Sequence, residues 1–305
     1  MRKTLAFLLI AAALLIWTVS LWGALQGREP FASHLYFFAW YPYLLFLDAL
    51  LCLKEGNFWL LSRPREFLRL LCWSVTCWLV FEAFNLVLQN WRYAGLLPQW
   101  WQRWPGYAFA FATVLPGIFL TARVLAAWGA WQGAGGESRA WSSWQPLWLI
   151  LGTVCLVLTL SQSHYAFALL WGAVFFLLDP ICELLEGKSL TRRWLAGERQ
   201  EIYGLLAAGL ICGLWWEMWN YPATAKWVYT LPVFNFCKIF EMPILGFLGF
   251  LPFALECAVM YNFYQALTAR VLTTPSRRRW FWLGQLAFWL LMFAALDAWT
   301  VISFQ

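Results

Sequence analysis

Apolar runs of roughly 20 residues, the length that crosses a hydrocarbon core as helix, recur along the chain between short polar segments. They fall at 5–25, 35–53, 67–88, 107–127, 147–161, 165–185, 202–219, 245–267 and 280–301. Only helices and closed barrels satisfy their backbone polar groups in lipid, and the runs lack the alternation of barrel strands. The pattern predicts an all-α polytopic membrane protein of about nine transmembrane helices. The first run follows Arg2 and Lys3 and carries no small-residue site of the A-x-A kind. It is expected to stay as a helix rather than be removed as a signal.

Charge then orients the spans. With the N-terminus on the cytoplasmic side, Arg28, Arg92, Arg103, Lys226 and Lys238 are the five of 21 basic residues that fall outside. The excess of inner Lys and Arg predicts an N-in, C-out protein of a bacterial-type inner membrane. The net charge of +6 is spread over short loops, as topology requires, and no nucleic-acid partner is expected.

Within this frame the chain repeats itself. Ser33-His34, Trp40, Asp48 and Glu55-Gly56 recur as Ser163-His164, Trp171, Asp179 and Glu186-Gly187, 130 to 131 residues later. Glu82-x-x-Asn85, Trp91-x-Tyr93 and Leu115-Pro116 recur as Glu217-x-x-Asn220, Trp227-x-Tyr229 and Leu251-Pro252, 135 to 136 residues later. Ordered matches of rare polar and aromatic types predict a tandem repeat of four helices, 4+4, plus a C-terminal helix. An even number of spans per unit makes the copies parallel, related by an axis along the membrane normal. The expected divisions are 1–128 for the first repeat and 129–146 for a cytoplasmic linker. The second repeat takes 147–268, and a cytoplasmic basic loop with the ninth helix takes 269–305. Gly133, Gly135, Gly136, Ser138, Ser142 and Ser143 make the linker flexible in composition.

Composition agrees with a lipid-solvated chain: 63% of residues are hydrophobic and 12% charged, against about half and a quarter in soluble domains. The 25 Trp and 26 Phe exceed what an interfacial belt alone requires. The eight Cys lie mostly inside apolar runs without metal spacing and read as small buried hydrophobes.

Ionisable groups inside the hydrocarbon are functional candidates by default, because each costs at least ~2.5 kcal/mol to insert. Asp48 and Asp179 lie near inner helix ends and are read as caps or partners of inner-loop Arg. Glu82/Asn85 and Glu217/Asn220 have i, i+3 spacing, which puts carboxyl and carboxamide on one helix face. They are expected either to knot helices together or to line a polar pocket on the pseudo-twofold axis. The second half alone carries Glu241 and Glu256, where the first has Pro105 and Leu120, so any active site is weighted toward the second half. Gly246, Gly249, Pro243 and Pro252 around these acids predict a broken or close-packed segment. Asp297 lies late in the ninth helix. His34 and His164 are weak metal candidates, each alone at a helix start; no metal or other cofactor is expected.

The ordered set of Asp48 and Asp179, Phe81-Glu82 and Trp216-Glu217, Trp91-Arg-Tyr93 and Trp227-Val-Tyr229, and Pro252-Phe-Ala-Leu-Glu256 resembles the membrane-embedded, two-copy lycopene cyclase family. The resemblance covers most of residues 30–265. The family's adjacent acid pair after the proline is a single Glu256 here, and the first copy reads Pro116-Gly-Ile-Phe-Leu. The resemblance implies protonation of a polyene end group, ring closure through a carbocation, and proton loss without net redox change. Such chemistry needs a proton-donating carboxylic acid, aromatic faces for the cation and exclusion of water.

The expected function is an integral membrane enzyme acting on a long isoprenoid or other lipid, a cofactor-free cyclase or isomerase. Glu217, Glu256, Glu82 and Glu241 are its catalytic candidates. Asn85, Asn220, Trp216, Trp219, Trp227, Tyr229 and Asp297 are candidates for substrate binding, and the partner is a membrane lipid or hydrophobic small molecule. The competing expectations are a proton- or cation-coupled transporter using Glu82, Glu217 and Asp297, and a non-catalytic lipid-binding membrane module.

Overall fold

The computed structural model describes residues 2–141, 143–186 and 188–305. Ser142 of the linker and Gly187 of the Glu-Gly match lie outside the described residues. Among the described residues nine helices are long and apolar enough to cross a membrane. They are α1 (Arg2–Leu25), α2 (Phe31–Glu55), α3 (Pro64–Leu88), α4 (Trp100–Ala127), α5 (Trp144–Ser161), α6 (Ser163–Leu185), α7 (Gln200–Asn220), α8 (Ile244–Arg270) and α9 (Pro275–Trp299).

The helices pack in similar pairings in the two halves of the chain. α1 lies on α2, α2 on the second half of α4, and α3 on α4; likewise α5 lies on α6, α6 on α8, and α7 on α8. The two sets meet reciprocally, α7 against α4 and α3 against α8. α9 lies along α3, where Gln285 and Trp289 both donate to Thr76 Oγ1.

One end of the bundle gathers the C-terminal ends of α3, α7 and α9 and the start of α2. There β1 (Trp91–Ala94), which follows α3, pairs antiparallel with β2 (Lys226–Tyr229), which follows α7. The register is Trp91↔Tyr229, Arg92↔Val228 and Tyr93↔Trp227. The chain beyond α9 joins β1, with Tyr93 N–H donating to Thr300 O at 2.9 Å and Ile302 N–H to Tyr93 O at 2.8 Å. Gly95 sits beside this pair at φ +63°, and a Cβ there would stand 2.3 Å from Thr224 O, which explains glycine at that position.

The opposite end holds the basic loops. Here Asp48 accepts from the backbone amides of Trp59 (2.7 Å) and Leu60 (3.3 Å), capping the short helix Trp59–Ser62. Asp179 accepts from Leu190 N–H (2.8 Å), Thr191 N–H (3.1 Å) and Ser189 Oγ (2.8 Å), capping Leu190–Leu195 in the same manner. Arg123 pairs with Glu55 at 2.6 Å.

Four local features depart from the simple nine-run pattern. α4 begins at Trp100 rather than near 107, so Arg103 lies within a helix and is buried, not in an outer loop. Two short strand pairs interrupt an otherwise helical chain. The linker is tied down, with Gly136 N–H donating to Gly197 O (3.2 Å) and Arg139 N–H to Leu195 O (2.8 Å). α8 opens with a 3-10 segment, Ile244–Gly249, before the regular helix Phe250–Arg270.

Candidate functional site

The strand pair is held to its helices by two carboxamides. Asn85, at the end of α3, accepts from the amides of Asn90 (2.8 Å) and Trp91 (3.3 Å) and donates to Trp91 O (2.9 Å). Asn220, at the end of α7, accepts from Trp227 N–H (2.9 Å) and donates to Trp227 O (2.8 Å). Each Asn therefore closes a loop that folds a strand back over the last turn of its own helix. That returns the Trp and Tyr of each W-x-Y unit to the carboxyl one helical turn before the Asn.

The result is two matched sockets. Glu82 Oε1 accepts from Trp78 Nε1 (2.8 Å), Trp91 Nε1 (3.0 Å) and the Tyr93 hydroxyl (2.5 Å). Glu217 Oε1 accepts from Trp227 Nε1 (3.4 Å) and the Tyr229 hydroxyl (2.7 Å). Both carboxyls are fully buried, and in each the second oxygen, Oε2, has no partner. Burial first, and then the neighbouring carboxyl, push the phenols of Tyr93 and Tyr229 well above their ordinary value. Both phenols stay protonated, hence donors.

Beside the sockets lies a cavity of about 880 Å³, at the upper end of the roughly 300–1,000 Å³ of small-molecule sites. Its wall is aromatic and aliphatic: Trp78, Trp91, Trp171, Trp216, Phe250 and Phe253 face it together with Val114, Leu231 and Leu255. Glu217, Trp227 and Tyr229 belong to the lining. Trp216 is held in place by a hydrogen bond from its Nε1 to the Tyr36 hydroxyl at 3.0 Å. Toward the strand pair the lining turns polar, with Ser33, His34, Gln102, Arg103 and Lys226. Toward the bundle surface it reaches Phe109, Leu169, Leu245 and Leu248, of which Phe109 is 58% and Leu248 61% exposed. These exposed lining side chains are all apolar.

Of the residues singled out in the sequence, Glu217, Trp216, Trp227, Tyr229 and His34 come together on this cavity. Glu82 lies behind it, screened by Trp78, Trp91 and Tyr93. Asn85 and Asn220 are spent on backbone, as above. Trp219 stacks on Trp215 at 5.3 Å, outside the lining. Glu241 forms an ion pair with Lys226 at 2.6 Å. Asp297 is ringed by donors, Arg103 Nε (2.7 Å), Trp104 Nε1 (2.8 Å) and the Tyr107 hydroxyl (2.9 Å). Glu256 is fully buried, and its Oε1 accepts from Val174 N–H at 3.2 Å. His164 lines a separate pocket with Arg92, Gln89 and Thr230. Among the described residues no group of three or more His, Cys, Asp and Glu is arranged to hold a metal ion.

Trp78, Trp91, Tyr93 and Trp171 enter the site without having been singled out as site residues. Trp78 had a signal, since it stands one helical turn before Glu82 on the same face. Trp91, Tyr93 and Trp171 carried theirs as repeat matches. Comparison with protein-family models, with curated proteins and with solved structures finds no match for this chain.

Proposed function

We propose that the chain is an integral membrane enzyme that takes a long apolar isoprenoid lipid into the aromatic cavity and transfers a proton to it from Glu217. The observation that carries this reading is the Glu217 socket. A buried carboxyl stands on the wall of a cavity lined by indole and phenyl rings, one oxygen fixed by Tyr229 and Trp227, the other unpartnered. The exposed apolar lining residues Phe109, Leu169, Leu245 and Leu248 support access from the bilayer.

The step supported is acid-catalysed isomerisation or cyclisation. The Glu217 O–H proton moves to one carbon of a terminal double bond, and the cation left on the other carbon is attacked by a neighbouring double bond. Loss of a proton from an adjacent C–H to the Glu217 carboxylate restores the acid, so no oxidant or reductant is consumed. Trp171, Trp216 and Phe253 supply faces for the cation, each worth about 2 kcal/mol when desolvated. An ion pathway finds less support, because the wall between the polar end and the rim carries few groups to replace an ion's hydration.

The same reading takes the chain as two parallel copies, N-in and C-out in a bacterial-type inner membrane, with pseudo-twofold symmetry about the strand pair. Three observations support the symmetry, and the inner Lys and Arg excess supports the orientation. Trp91 pairs with Tyr229 while Tyr93 pairs with Trp227, the reciprocal register that a twofold axis generates between equivalent strands. Both sockets take a Trp and a Tyr of a W-x-Y unit as donors, and Trp78 adds a third donor in the first. The helix contacts within and between the halves are also reciprocal.

The test is expression in a host that accumulates lycopene, with pigments separated by chromatography. The wild-type chain is expected to convert lycopene to cyclised product and Glu217→Gln to leave it unconverted. Unchanged pigment with the wild-type chain rules out a carotenoid substrate.

A further inference from the structure

We propose that Glu256 is a positioning residue: from α8 its carboxyl caps a break inside α6 and so sets where Trp171 stands in the cavity wall. α6 is not one continuous helix. Ser163–Ala166 passes into a 3-10 turn, Phe167–Leu169, and the helix that follows is kinked at Trp171, whose ψ of 23° is non-helical, so that regular helix restarts at Gly172 and Val174 is its third residue. A helix that restarts leaves its first amides without intrahelical partners, and in an apolar interior these need an acceptor from elsewhere. Glu256 supplies it. Its Oε1 accepts from Val174 N–H at 3.2 Å, and the Phe175 amide also faces the carboxyl. A carboxyl at a helix start is favourable in hydrogen bonding and in the direction of the helix dipole alike.

The first half of the chain provides an internal control. At the offset of 136 that aligns Leu115-Pro116 with Leu251-Pro252, Leu120 stands in place of Glu256. Trp40, the counterpart of Trp171, lies inside α2, whose non-helical residue is His34, six positions earlier. Acid and break at the tryptophan therefore occur together in one half and are both absent from the other. The consequence is visible in the site. Trp171 lines the cavity and stacks on Phe81 at 5.5 Å and on Trp91 at 6.4 Å. Trp91 in turn donates to Glu82. Glu256 itself is not part of the lining, so it acts through the helix rather than on a bound molecule.

The test uses the full chain labelled with 5-fluorotryptophan in detergent micelles and read by fluorine NMR, with the Trp171 resonance identified by its loss in Trp171→Phe. Glutamine keeps the acceptor oxygen, so Glu256→Gln is expected to leave the Trp171 resonance within its linewidth. Glu256→Leu, the residue of the first half, is expected to move it by more than a linewidth while the Trp22 and Trp299 resonances stay. Should Glu256→Leu fail to fold, Glu256→Asp, which shortens the reach by one methylene, is expected to move the same resonance. An unmoved Trp171 resonance in the Leu or Asp variant overturns the assignment, as does a shift in Glu256→Gln as large as in Glu256→Leu. The readout needs no bound lipid and no turnover, so it stands or falls separately from the lipid-enzyme reading.

Discussion

Removing the Asp297 carboxylate is expected to destabilise the fold strongly. Arg103 donates to Asp297 through Nε at 2.7 Å and Nη2 at 2.5 Å, and Trp104 and Tyr107 add two further bonds. The guanidinium side chain is only 7% exposed, so Asp297→Ala strands a buried charge, a change that costs about 3–5 kcal/mol. Arg103 Nη1 keeps the carbonyls of Leu97 (2.6 Å) and Pro98 (3.0 Å), which sets the expectation at the lower end, about 3 kcal/mol. The assay is reversible unfolding in mixed dodecylmaltoside and SDS micelles, followed by circular dichroism, for Asp297→Ala, Arg103→Met and the double variant. Because the pair is in direct contact, the double variant is expected to lose less than the sum of the singles by at least about 1 kcal/mol. A loss below 1 kcal/mol for Asp297→Ala, or strict additivity, refutes the ion pair as a fixture joining α9 to α4.

Asn85→Leu and Asn220→Leu each remove backbone clamps of the strand pair and are expected to cost about 1–3 kcal/mol in the same unfolding assay, whereas values near zero contradict the clamp. Gly95→Ala forces a Cβ against Thr224 O at positive φ and is expected to lower the thermal midpoint, with a loss exceeding about 1 kcal/mol; an unchanged midpoint contradicts it. Tyr229→Phe leaves Glu217 Oε1 with Trp227 as its remaining donor; turnover is expected to fall at least about tenfold, the equivalent of one lost hydrogen bond to a charged or reacting group, while the unfolding midpoint moves little.

The spans are legible in the sequence because lipid imposes one rule on every residue of a crossing helix, and the runs record it directly. The start of α4 is not legible, because Gln102 and Arg103 look like loop residues until Asp297, 194 positions away, neutralises the arginine. A run-length reading has no access to that partner. Asp48 and Asp179 declare themselves by their place near the ends of runs, where caps are needed. Asn85 and Asn220 declare a face but not its occupant. Their i, i+3 spacing to the glutamates suits a shared pocket and a backbone clamp equally, and the choice depends on where the chain turns after Gln89 and Tyr221. The cavity wall is the least legible part. Trp171 shows only as a repeat match, and Phe250 and Phe253 differ in no local feature from the aromatic residues that fill the core; what sets them apart is space left by helices distant in sequence.

The central claim, proton transfer from Glu217 to a lipid in the aromatic cavity, is tested most directly by isotope incorporation. Purified protein in micelles equilibrated with D2O is supplied with lycopene, and the cyclised product is analysed by mass spectrometry. With less than one equivalent of lycopene, so that each D2O-equilibrated Glu217 acts once, the account predicts one deuterium in the first ring closed by the wild-type chain and no labelled product from Glu217→Gln. At multiple turnover the proton returned to Glu217 from the substrate dilutes the label. Single-turnover product without deuterium, or labelled product from Glu217→Gln at the wild-type rate, contradicts it.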